Sequence, residues 1–178
     1  MTFRILGRET VGAGGLVALE SVDLSTPDGE VVRRDVVRHP GGVAVVAVDR
    51  LGRVWFVRQY RVAVDASILE IPAGTLDRPD EDPVDAVRRE LSEELGATAD
   101  SITPLGAMLP SPGYTDELIV LYLAEGIVGG ERTPDGVEEH HAEIVRLGAD
   151  DVLRMLDEGS FTDGKTQLAL ALWARRTG

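Results

Sequence analysis

Gly74–Ala97 reads GTLDRPDEDPVDAVRRELSEELGA, and its second half spells out a helix with both ends marked. Asp82-Pro83 supplies an N-cap and a proline for the first turn, where a missing N–H costs nothing. Val84, Val87, Leu91 and Leu95 recur at helical spacing, and Gly96 stands where a helix stops. The polar side is harder to explain. Glu90 shares a face with Glu93 and Glu94, and Glu81 precedes the helix, so like charges repel. They crowd the C-terminal turns, where the helix dipole disfavours anions. Two readings fit: a solvated acidic face balanced by Arg88 and Arg89, or a solvent-facing site for a divalent cation. Several carboxylates in a chain without cysteine suit Mg²⁺ or Mn²⁺ rather than zinc.

The rest of the chain narrows the classes. It has 178 residues, 43% of them hydrophobic, and a formal net charge of −13. That is the length of one domain, or of one domain with a small appendage, and the composition of a globular protein. Zero cysteines exclude disulfides, thiolate zinc sites and a cysteine nucleophile. The acidic balance excludes nucleic acid as a non-specific partner, but not a small phosphorylated ligand whose charge is met by metal ions. No apolar run reaches the roughly 18–20 residues of a membrane span. Met1–Thr10 lacks the apolar core of a secretory signal, so a cytoplasmic location is expected. Lys165 is the lone lysine among 18 basic residues, which reads as genome composition.

Working outward from the helix, Val43–Val48 and Val54–Tyr60 read as a buried hairpin and Ile68–Ile71 as a short strand. Leu118–Ala124 and Ile144–Leu147 read as later strands, and Asp150–Glu158 and Thr166–Arg176 as closing amphipathic helices. The expected class is α+β or α/β, a mixed sheet between helices. Val17–Leu24 and Glu30–Arg38, around Pro27-Asp28-Gly29, form a small antiparallel pair. The expected division is an N-terminal β unit over 1–39 and a main domain over 40–178.

The opening stretch resembles the Nudix box, G-x5-E-x7-R-E-U-x-E-E-x-G-U with U aliphatic. Glu81 and, seven residues on, Arg89-Glu90-Leu91-Ser92-Glu93-Glu94-Leu95-Gly96 match in register. Ala97 stands for the last aliphatic, and the loop after Gly74 is one residue longer than the pattern. The resemblance implies the Nudix fold and metal-dependent hydrolysis of nucleoside diphosphates linked to a further group. It implies Glu90, Glu94 and the Ala73 carbonyl as metal ligands, Glu93 as a third, catalytic carboxylate, and Arg89 as their salt-bridging partner. Gly74 would let the loop backbone approach the metal.

Further stretches are similar to the ADP-ribose pyrophosphatase branch. These are Arg58-Gln59-Tyr60-Arg61, Glu70-Ile71-Pro72-Ala73-Gly74, Ser111-Pro112-Gly113-Tyr114-Thr115-Asp116-Glu117, and Arg33-Arg34-Asp35. They imply substrate contacts from Arg34, Arg61, Glu70, Ser111, Gly113 and Glu117, and a homodimer in which residues 1–39 serve dimerisation. Arg61, Arg34 and the Ser111–Gly113 turn also have plain structural readings as surface or turn residues. The branch takes its catalytic base from an acidic loop. The candidates are Glu138, Glu139 and Glu143, and an ungapped alignment of the next helix favours Glu139. Tyr60, Tyr114 and, more weakly, Phe3 are the candidates to stack on a base. The implied substrate is ADP-ribose. The alternatives are another sugar nucleotide, a dinucleoside polyphosphate, or a non-catalytic nucleotide-sensing module.

Overall fold

The computed structural model describes every residue but Met1, Pro79, Gly136 and Gly178, and leaves the side chains of Glu138 and Thr177 undescribed. The chain separates into two units. One comprises residues 1–41 with 109–118, and the other residues 42–108 with 119–178.

The larger unit is a mixed sheet built on β4 (Gly42–Asp49). β4 pairs in parallel with β10 (Ile119–Gly129) and antiparallel with β5 (Arg53–Arg61) and β7 (Ala73–Thr75). β5 continues the sheet to β6 (Ala66–Glu70) and β11 (Glu143–Gly148). β8 (Ala97–Thr98) and β9 (Ser101–Met108) flank β10. The apolar run of β4 is covered on both faces, as an unalternating strand requires. Val43, Val45 and Ala47 pack with Val87, Leu91 and Leu95 of α1 (Pro83–Leu95). Ala44 and Val46 pack with Val152 of α3 (Ala149–Asp157) and with Ala169, Leu170 and Trp173 of α4 (Gly164–Thr177). Phe56 stacks on Phe161, centroids 5.5 Å apart, closing this second core. The expected mixed sheet between helices is the observed architecture.

The smaller unit holds three antiparallel strands, β1 (Arg4–Ala13), β2 (Ala18–Ser25) and β3 (Val31–Arg38), where the sequence predicted a pair. β1 escapes pattern reading because all ten of its residues are exposed and its register slips at two places, beside Gly7 and beside Gly12. Segment 109–118 joins this sheet through Val37 N–H to Tyr114 O (2.7 Å) and Asp116 N–H to Val37 O (3.3 Å). Of the unit's described residues only Ser21, Val22 and Gly41 are buried. Strands β7, β8 and β9 and the four-residue helix α2 (Val137–His140) were likewise not foreseen, and β10 runs five residues past Ala124. Among the described residues no helix is long and apolar enough to cross a membrane.

Candidate active site

α1 starts and stops as its sequence dictates. Asp82, at φ −65° and ψ 132°, accepts a hydrogen bond from Val84 N–H (2.8 Å), and Pro83 follows. Gly96 ends the helix at φ +59°, where a side chain would also lie 2.7 Å from Arg132 N. The buried face of α1 comprises Ala86, Val87, Glu90, Leu91, Glu94 and Leu95. Two glutamates therefore sit in the apolar stripe. This corrects the solvent-facing expectation, since Glu90 and Glu94 are each only 3% exposed.

These buried carboxylates are poorly compensated. Burial pushes Glu90 up to about 7, and the Glu93 charge adds to that against the pull of Arg89. Glu94 rises well above the carboxylate range through burial and the neighbouring Glu90 charge. Its protein hydrogen bond is from Ala73 N–H to Oε2 (3.1 Å). Arg89 gathers the remaining acids. Its Nε donates to Glu81 Oε1 (3.0 Å), its Nη1 to Glu90 Oε1 and to Glu93 Oε2 (3.0 Å), and its Nη2 to Thr75 O (3.1 Å). Burial disfavours the guanidinium, but these bonds outweigh it and raise its pKa. Arg88 turns away to Asp85 (2.6 Å).

Gly74 makes room for this face: a Cβ there would lie 1.7 Å from Glu90 Oε1. The cleft in front of it, about 240 Å³, is lined by Arg61, Ala73, Gly74, Arg89, Glu90, Glu93, Glu94 and Glu139, among others. Glu139 reaches it from α2, its Oε2 accepting from Asp135 N–H (2.9 Å), while Arg132 ties the loop through Glu139 O (2.7 Å) and Ala142 O (3.0 Å). Oxygen donors around two buried, like-charged carboxylates fit a hard divalent cation. Among the described residues no three acidic or histidine side chains already converge as a metal cage. Arg89 holds an oxygen of Glu90 and of Glu93, so a cation would share or displace it.

The NUDIX domain family matches residues 38–166. The chain belongs to the NUDIX family. It is 36% identical to the methanol dehydrogenase activator of Bacillus methanolicus over 91% of this chain and 87% of that protein. It is 34% identical to the ADP-ribose pyrophosphatase of Bacillus subtilis (strain 168), over 94% and 90% respectively. A crystal structure of an ADP compounds hydrolase superposes with a TM-score of 0.82 at 27% identity, covering all of this chain and 97% of the other. NUDIX hydrolases generally depend on a divalent metal.

The other anticipated residues divide between the units. In the NUDIX cleft, Arg61 grips Glu70 with two bonds (2.8 and 2.9 Å), and Glu70 is buried behind it rather than lining the cleft. Glu143 stays on β11, 3.6 Å from Arg58, outside the lining, and the Glu138 side chain lies outside the described residues. Ser111, Gly113, Glu117 and Arg34 belong to the smaller unit. There Ser111 O caps the turn through Tyr114 N–H (3.1 Å), Glu117 approaches His39 (3.8 Å), and Arg34 bonds Arg33 O (2.7 Å). Gln59, Asp77 and Asp135 also line the NUDIX cleft and were not singled out. Strand period places Gln59 beside Arg61, a signal that was present; the two aspartates sit on loops and carried none.

Proposed function

We propose ADP-ribose, or a closely related nucleoside diphosphate sugar, as the substrate of this pyrophosphohydrolase, with Mg²⁺ as its metal and AMP and ribose 5-phosphate as products. The observation that carries this reading is the buried, under-compensated pair Glu90 and Glu94 facing a cleft whose cationic side chains are Arg89, engaged with the acids of α1, and Arg61. Glu90, Glu94 and the Ala73 carbonyl would hold the ion, with Glu93 beside them. A bound divalent ion polarises a phosphoryl oxygen and makes water a better nucleophile at neutral pH. Arg61 then binds the phosphates. Glu139 takes the proton of the attacking water on the oxygen that Asp135 leaves free, as the new O–P bond forms and the bridging P–O bond breaks. Arg89 keeps the carboxylates in place.

We also propose a homodimer in the cytoplasm. The smaller unit leaves Phe3, Ile5, Val11 and Val31 more than half exposed and buries almost nothing itself, which suits a sheet covered by a second copy. Arg34, Ser111, Gly113 and Glu117 are the proposed substrate contacts from this unit. Mixing Arg34→Ala with Glu94→Gln subunits restores activity if Arg34 serves the partner's substrate, and does not if it serves its own.

The substrate test compares kcat/KM for ADP-ribose, GDP-mannose, NADH and diadenosine polyphosphates with Mg²⁺. ADP-ribose should lead, with AMP and ribose 5-phosphate released. Glu139→Gln should lower kcat about 10²–10⁴-fold with KM little changed. A lead for another member of the panel moves the substrate, and an unchanged Glu139→Gln kcat removes the base.

A further inference from the structure

Lys165 is the one lysine among the 18 lysine and arginine residues of the chain. It lies at the start of α4, only 13% exposed, with Nζ on Glu70 Oε2 and 3.1 Å from Asp163 Oδ1. Glu70 is the same carboxylate that Arg61 holds in a two-pronged bond, so one buried anion faces two cations. Asp163 restores local neutrality. A compact ammonium can bridge two carboxylates in a confined space where a planar guanidinium would need more room. The spot is built firmly. Asp163 Oδ2 accepts from Thr166 N–H (3.0 Å) and Oγ1 (2.6 Å), and Thr166 Oγ1 accepts from Ile71 N–H (3.0 Å), next to Glu70.

This arrangement has a consequence for the cleft. Lys165, itself held by Asp163, fixes the Glu70 carboxylate, and Glu70 in turn holds Arg61 by Nε and Nη2 while that side chain, 40% exposed, lines the cleft. We propose that Lys165 is a positioning residue for Arg61, acting through Glu70, so that the start of α4 sets the cleft's affinity for phosphate groups. This rests on the reading that Arg61 meets the substrate's phosphates.

The test measures KM and kcat for ADP-ribose with Mg²⁺, and the thermal midpoint, in the wild type, Lys165→Met, Arg61→Ala, Glu70→Gln and the Lys165→Met/Glu70→Gln double variant. Lys165→Met should raise KM about tenfold with kcat within about twofold, and should add less than about twofold once Glu70 is Gln. The lone lysine gives a second readout. Protein labelled with ¹³C at lysine Cε carries a single side-chain signal, which should shift on adding inorganic pyrophosphate with Mg²⁺ in the wild type and stay still in Arg61→Ala. A lowered midpoint with unchanged KM makes the role purely structural and overturns the proposal, as does a lysine signal that ignores pyrophosphate. A raised KM in Arg61→Ala with none in Lys165→Met overturns this inference alone. An unchanged KM in Arg61→Ala overturns the reading of Arg61 beneath it. If Lys165→Met does not fold, the labelled wild type and Arg61→Ala decide.

Discussion

Glu70 and Glu94 are both almost fully buried in the same unit, 2% and 3% exposed, yet their environments push them in opposite directions. Burial disfavours the Glu70 anion, but Arg61 and Lys165 overcome it and hold its pKa below the usual value. Burial equally disfavours the Glu94 anion. There the charges of Glu90 and Glu139 make matters worse, and the Ala73 N–H and the charge of Arg61, whose hydrogen bonds go to Glu70, do not make up the difference. The first is an ion set the protein completes for itself. The second is left for a cation from outside. Buried acids alone do not mark a metal site; the missing counter-charge does.

The comparison breaks most visibly at Glu94. Glu94→Gln should lower kcat with Mg²⁺ by about 10³-fold or more, since metal-assisted catalysis is worth several kcal/mol. The same change should stabilise the metal-free protein at pH 8, because it removes a buried, repelled charge. A kcat near that of the wild type would show that Glu94 does not serve the reaction.

Gly74→Ala probes the same seat from the loop side. The added methyl displaces the flexible Glu90 carboxylate rather than backbone, so the fold should survive. Misplacing a reacting constellation by about 1 Å costs up to about 10²-fold, so kcat should fall tenfold or more. Unaltered kinetics would mean that the seat of Glu90 is not critical.

Glu70→Gln should act on stability. Water screens the half-open Arg61 side, but Lys165 loses a buried partner, for a loss of about 1–3 kcal/mol at pH 7 in denaturant unfolding. The Glu70 contribution is present above the ordinary carboxylate value and fades as pH falls below it. A neutral effect at pH 7 would mean that the pair only breaks even.

Much of this was legible in the residues. Asp82-Pro83 and Gly96 bound the helix as read, and the unalternating run of β4 announced a strand covered on both faces. The burial of Glu90 and Glu94 was written in their spacing, since they fall among Val87, Leu91 and Leu95. Charge nevertheless suggested solvent, because sequence does not reveal which polar residues a fold can bury. β1 was hidden because it has no inner face, and β9, SITPLGAM, lacks clean alternation and carries a proline and a glycine. Lys165 read as compositional residue until α4 brought it to Glu70, 95 positions away.

The contrast between the two glutamates is measured most directly by the unfolding midpoint of metal-free protein from pH 4.5 to 8, repeated with Mg²⁺, for the wild type and Glu94→Gln. The folded wild type binds more protons than the unfolded chain wherever Glu90, at about 7, and Glu94 remain protonated. Stability must therefore fall as pH rises through that window. The expected result is a wild-type midpoint that drops relative to Glu94→Gln between pH 4.5 and 8 and is restored by Mg²⁺, with Glu94→Gln gaining much less from the metal. Parallel curves for the two proteins, with no gain from Mg²⁺ in either, would contradict the assignment of this face as a cation site.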